Sequence, residues 1–104
     1  MEITSNELRM KIESGEPIIV DFWATFCGPC KMYKPTFEKI AENSEIPMYT
    51  MSLDSPENGQ LAIELGIRAV PTTKGFNNGG EVFSKSGMIS ESELKSVIKN
   101  IING

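Results

Sequence analysis

The sequence predicts an α/β fold in which a central mixed β-sheet carries helices on both faces, and three observations lead there. Ile18-Ile19-Val20-Asp21-Phe22-Trp23 is apolar at every position but one, the pattern of a strand covered on both sides. Segments of strand character alternate along the chain with segments whose apolar residues recur at helical spacing. The chain then closes on two strand-like runs around Asn77-Asn78-Gly79-Gly80 and an amphipathic helix, so antiparallel pairing joins a parallel beginning. With 104 residues there is room for one core, and so for one domain spanning residues 1–104.

Met1 to Ile3 reads as a short first strand, ended where Thr4 and Glu7 have the spacing of a capping box. Leu8, Ile12 and Met10 give the following helix its buried stripe, and Gly15 stops it. Pro17 to Trp23 is the central strand. Lys31 to Glu42 is the next helix, with Met32, Tyr33, Phe37 and Ile40 as its apolar set and Pro35 inside it, where a missing N–H predicts a kink. Pro47 to Leu53 reads as a strand. Ser55-Pro56-Glu57 then caps and opens a helix that runs to Leu65 and ends at Gly66. Thr72 to Phe76 pairs with Glu81 to Lys85 as a hairpin, Ser90 and Glu93 form a second capping box, and Leu94, Val97, Ile98, Ile101 and Ile102 mark the last helix.

Composition removes several classes of function. The 10 basic and 14 acidic residues leave a net charge of −4, which opposes a phosphate-backbone footprint, so no direct nucleic-acid partner is expected. No apolar run approaches membrane-spanning length, and Met1 to Thr4 lacks the basic and apolar regions of a signal peptide; no membrane partner is expected, and the expected location is cytoplasmic. Two Cys and no His cannot complete a four-ligand zinc site, and the six scattered Met read as core filling, so no metal is expected.

The chemistry lies in Cys27-Gly28-Pro29-Cys30, which holds both cysteines. Two thiols at this spacing open and close one disulfide, and a loop so short adds little as a staple. Cys27 falls at the N-terminus of the helix that follows the central strand, where unpaired N–H groups and the positive end of the macrodipole favour a thiolate. Cys30 lies one turn on, on the same face. Gly28 permits close approach of backbone, and Pro29 suits a first helical turn.

Phe22-Trp23-Ala24-Thr25-Phe26-Cys27-Gly28-Pro29-Cys30-Lys31 resembles the active-site segment of the thioredoxin family, and Arg68-Ala69-Val70-Pro71-Thr72 resembles the segment that carries its cis-proline. The resemblance covers nearly the whole chain and implies a thioredoxin-like fold. It implies dithiol–disulfide exchange with Cys27 attacking a substrate disulfide and Cys30 resolving the mixed disulfide. Asp21 matches the family's buried Asp, which relays the Cys30 proton through water; burial on a central strand raises its pKa toward neutrality. Pro71 matches the cis-proline, leaving the Val70 main chain free to pair with an extended substrate. Trp23 packs under the active loop, and Phe26, Gly28, Pro29, Val70 and Gly87 form an apolar docking rim. No cofactor is implied. Partners are disulfide-containing proteins and a separate thioredoxin reductase, and the chain is expected to act as a monomer.

The sequence also departs from the family. Phe26 stands where a second Trp is usual, and Ala69 replaces a common Gly. Thr50 stands where the third strand usually offers a Lys beside the buried Asp. Lys74 occupies a normally apolar position, and Gly75 interrupts its strand; an edge-exposed Lys74 is expected, with a Lys74 turned inward to Asp21 as the alternative. Small insertions fall near Pro56 to Gly59 and at Gly79-Gly80, in predicted loops. The leading reading is a reductase of protein disulfides. A net oxidant or isomerase is disfavoured by Gly28-Pro29, and a binding subunit of a partner enzyme is the alternative from another class.

Overall fold

The computed structural model describes residues 1–104. Helix α1 (Ser5–Ser14) starts from the expected capping box, with Thr4 Oγ1 accepting from Glu7 N–H and the Glu7 carboxylate accepting from Thr4 N–H. Strand β1 (Ile18–Trp23) leads to α2 (Gly28–Ala41), β2 (Met48–Ser52), α3 (Pro56–Glu64), β3 (Thr72–Asn77), β4 (Gly80–Ser86) and α4 (Glu91–Asn103). The sheet order is β2-β1-β3-β4, with β1 parallel to β2 and the other neighbours antiparallel. No helix is long and apolar enough to cross a membrane.

Alternation along β1 divides its side chains between two cores. Ile19 faces Tyr33, Phe37 and Ile40 of α2 and Leu94, Val97, Ile98 and Ile101 of α4. Ile18, Val20 and Phe22 face the other way, against Leu8 of α1, Leu61 of α3, Met51 and Phe76. Leu8 and Leu94 are wholly buried, one in each core; a side chain of this kind contributes about 1.5–3 kcal/mol by leaving water. Covered on both faces and paired on both edges, β1 is a rigid base for the loop that follows it.

Several expectations are corrected. Met1 to Ile3 forms a single bridge, Glu2 to Thr50, rather than a strand, because Thr4 already caps α1. Helix α2 begins at Gly28, three residues before Lys31, with Cys27 as its N-cap. Pro35 lies inside it, as expected, on its exposed side, and the helix ends at Ala41, one residue before Glu42. Met10, Met32 and Ile102 are exposed, each off the buried stripe of its helix. Ser90 caps α4 through Glu93 N–H, but the Glu93 carboxylate takes Lys85.

Gly75 does not interrupt β3. It is paired with both Ile19 and Phe83, and a Cβ there would meet Ile101 Cδ1 at 2.9 Å, so its missing side chain lets α4 lie close on the sheet. The hairpin turn tightens to Asn78-Gly79, at φ 56° and 87°, between paired Asn77 and Gly80. Its Asn78 N–H donates to Gly15 O at 2.9 Å, fastening the turn to the end of α1.

Lys74 is corrected on both counts. It is 4% exposed, and it lies in register with Val20, on the opposite face of the sheet from Asp21. Its ammonium donates to Glu81 and, at 3.1 Å, to Ser84 Oγ, so it supplies no charge to Asp21.

Candidate active site

The site forms where β1 ends. The buried strand delivers Trp23, the chain turns through Ala24, and Cys27 N–H closes that turn on Ala24 O at 3.2 Å. Cys27 has extended backbone (φ −94°, ψ 111°), and its Sγ accepts from Cys30 N–H at 3.1 Å. Sulfur thus occupies the place that a Ser or Asp oxygen takes in an ordinary helix cap. A charge-assisted bond and the helix N-terminus both favour the Cys27 thiolate once the disulfide opens. The two cysteines are joined as a disulfide, with Cα atoms 5.3 Å apart. Cys27 is 8% exposed and Cys30 2%, so an incoming sulfur meets Cys27 first.

Around the pair, Ala24, Trp23 and Val70 pack against the sulfurs. Cys27 Sγ lies 3.7 Å from Val70 O, and the Val70–Pro71 bond is cis. Three contacts hold that loop: Thr72 Oγ1 donates to Ala69 O at 2.6 Å and meets Ser86 Oγ at 3.3 Å, and Gly87 N–H donates to Pro71 O at 2.8 Å. Gly87 makes this turn at φ 93°, a conformation that favours glycine. The Trp23 indole N–H donates to Glu2 Oε1 at 3.3 Å, and the Lys34 ammonium sits 5.2 Å from its ring centre. Phe26, Gly28 and Pro29 are exposed beside the disulfide, Phe26 by 85%.

Asp21 shares the α2 and α4 side of the sheet with Ile19, two positions before Trp23. It is 1% exposed, and its Oδ1 has no hydrogen-bond partner. Burial pushes its carboxyl up to about 7; the Glu2 charge adds to the rise, Lys34 opposes it, and Glu38 adds a little more. One turn beyond Cys30, the Tyr33 hydroxyl meets Thr73 Oγ1 at 2.9 Å, and burial pushes that phenol up as well. The site therefore joins a partly shielded sulfur on a helix terminus, a buried second sulfur and a carboxyl that titrates near neutrality, which is what shuttling two electrons and a proton between thiols requires.

Sequence reasoning missed Glu2. Its carboxylate accepts from Thr50 Oγ1 at 2.7 Å and from Ser52 N–H at 2.6 Å as well as from Trp23. The one pointer in the sequence was Thr50, a hydroxyl on β2 in register with Asp21 that needs an acceptor when buried.

Comparison with known proteins agrees with this geometry. The family model described as Thioredoxin matches residues 1–100. A thioredoxin of Malassezia sympodialis is 39% identical over 100 residues, 92% of this chain and 92% of that protein. A thioredoxin of Porphyra purpurea is 32% identical over 103 residues, 98% of this chain and 96% of that one. A solved mutant thioredoxin from Halobacterium salinarum superposes with a TM-score of 0.85 at 31% identity, covering 97% of this chain and 88% of that chain. A disulfide at a helix N-cap, a cis X-Pro bond facing it and relatives aligned from end to end converge on one assignment: the chain belongs to the thioredoxin family.

Proposed function

We propose that this thiol–disulfide oxidoreductase reduces protein disulfides in the following steps. The Cys27 thiolate attacks one sulfur of a substrate disulfide; a Cys27–substrate mixed disulfide forms, and the other substrate sulfur leaves as a thiolate that takes a proton from water. Cys30 gives its proton through water to the ionised form of Asp21 and attacks Cys27 Sγ. The Cys27–Cys30 bond forms, the second substrate sulfur leaves as a thiolate that takes a proton back from Asp21 through water, and two electrons have passed from the dithiol to the substrate. The observation that carries this order of attack is the Cys30 N–H bond to Cys27 Sγ, which stabilises charge on the first sulfur and not on the second.

Substrate docks on Trp23, Phe26, Gly28, Pro29, Val70, Pro71 and Gly87. Val70 precedes β3, so its main chain lies outside the strand ladder and can pair with an extended segment of substrate. The chain acts as one domain and as a monomer; a radius of gyration of 12.5 Å fits one domain of this length, for which about 13 Å is usual. A separate thioredoxin reductase restores the dithiol, and the cytoplasm, where thiols stay reduced, is the compartment that suits this direction of flow.

The test is trapping. A Cys30→Ser variant incubated with a disulfide protein is expected to accumulate a mixed disulfide through Cys27, and Cys27 is expected to alkylate faster than Cys30 in the reduced wild type. Faster alkylation of Cys30 reverses the assignment.

A further inference from the structure

Four side chains form a row across one face of the sheet. Glu2 bridges to Thr50, Thr50 is in register with Asp21, and Asp21 is in register with Thr73; register partners share a face. Asp21 thus sits between two hydroxyls, the natural donors for its oxygens. Neither donates to it. Thr50 gives its hydroxyl proton to Glu2 Oε1 at 2.7 Å, and Thr73 is paired with the Tyr33 hydroxyl at 2.9 Å. Oδ1 of Asp21 is the one buried side-chain atom left without a partner.

We propose that Glu2 is a positioning residue of the exchange site, which holds Asp21 in its protonated form by taking the Thr50 hydroxyl for itself and by facing Asp21 with a second carboxylate. Glu2 is fixed for this task by Thr50, Ser52 and Trp23, bonds that reach from the N-terminal segment to both strands flanking the site. Like charge and the loss of a donor act in the same direction on a buried acid. The raised titration of Asp21, with Glu2 second only to burial among its causes, agrees.

The other charges around Asp21 do not cancel this. Lys34 of α2 opposes Glu2, but Glu38 on the same helix reinforces it. Lys85, in register with Thr73 at the far end of the row, is bound by Glu93 of α4. Lys74 lies on the opposite face with Glu81, and β2 offers only the uncharged Thr50. On the β2 side, therefore, the charge nearest the buried acid is a carboxylate and not a cation. The site therefore holds the Cys30 proton acceptor in reserve until the pH, or a substrate that displaces Glu2, releases it.

This inference rests on Asp21 as the proton acceptor in the reading above, and the experiment separates the two. Asp carboxyl carbons are followed by NMR across about pH 4 to 9 in the oxidised full chain, without substrate. Glu2→Gln is expected to lower the Asp21 midpoint by about half a pH unit or more. Glu2→Asp, which keeps the charge, is expected to restore most of the wild-type midpoint. Thr50→Lys is expected to lower it by about 1 to 2 units. Emission from Trp23, the single Trp, reports whether Glu2 remains attached. A Glu2→Gln midpoint equal to the wild type overturns the proposal, whatever the variant does to melting temperature. Equal midpoints in Glu2→Asp and Glu2→Gln also overturn it, since position rather than charge would then be at work. If Asp21→Asn exchanges disulfides as fast as the wild type, the proton relay fails while the titration result stands.

Discussion

Asp21 and Lys74 are buried charges one strand apart on opposite faces of the sheet, and the molecule treats them in opposite ways. Lys74 is given an ion pair and a hydroxyl, so that its charge is met inside the structure. Asp21 is left with a bare oxygen, and the two hydroxyls that flank it are bound to other groups. The difference separates a charge that holds an edge strand in place from one kept ready to change. A buried acid left without partners is drawn toward its neutral form and can change charge within the working range.

The largest effect that tests this contrast is expected from Asp21→Asn. Because the folded pKa is about 7 and the unfolded value about 3.9, the native state prefers the protonated acid. The destabilisation is absent below the unfolded value, grows as pH rises between the two, and is complete above the folded one. The linkage ceiling at pH 8 is about 4 kcal/mol, and the buried amide's own unmade bonds return part of it. A net gain of about 2 kcal/mol is therefore expected in denaturant midpoints at pH 8, shrinking to nothing near pH 4, together with slower disulfide exchange. A variant less stable than the wild type at pH 8 would mean that Asp21 has a partner and that the contrast is false.

Next comes Glu81→Ala, which leaves the Lys74 ammonium with Ser84 alone. Breaking a fully buried pair costs about 3–5 kcal/mol. Glu81 remains 42% exposed, so water can replace part of the loss, and about 1–2 kcal/mol is expected. Lys74→Met, which removes the charge and fills the space, is expected to be near neutral. Equal destabilisation by the two would show that the ion pair itself carries the stability. The smallest effect is expected from Ser84→Ala, about 1 kcal/mol for one hydrogen bond to a charged group, with exchange activity unchanged. An altered exchange rate would place Lys74 in the chemistry after all.

What was legible in the sequence follows the same division. The apolar run of β1, the Thr4–Glu7 box, the Gly15 stop and the Cys27 helix terminus are local signals, and each reappears in the structure. Lys74 was misread because a charged residue in a short strand normally marks solvent; here its partners come from the next strand of the hairpin, and pairing register is not a local property. Gly75 read as an interruption because the close approach comes from Ile101, a residue more than twenty positions later in the chain. Burial of Asp21 was legible from the run around it. The Glu2 contact was not, since a single bridge at the start of the chain leaves no periodic pattern.

The Asn78 bond to Gly15 alters how the hairpin meets the rest of the cell's machinery. Hairpin tips are ordinarily the first places where proteases cut, inserted domains are tolerated and new termini can be opened. This one is fastened to the C-cap of α1, where Gly15 N–H is itself bonded to Ile12 O. Threading Asn78-Gly79 into a protease cleft means first breaking this tie to a helix end some sixty residues earlier, so cleavage at the exposed tip is expected to be slowed. A chain permuted between Asn78 and Gly79, or a tag inserted there, would strain that tie and so act on the hairpin and the end of α1 together.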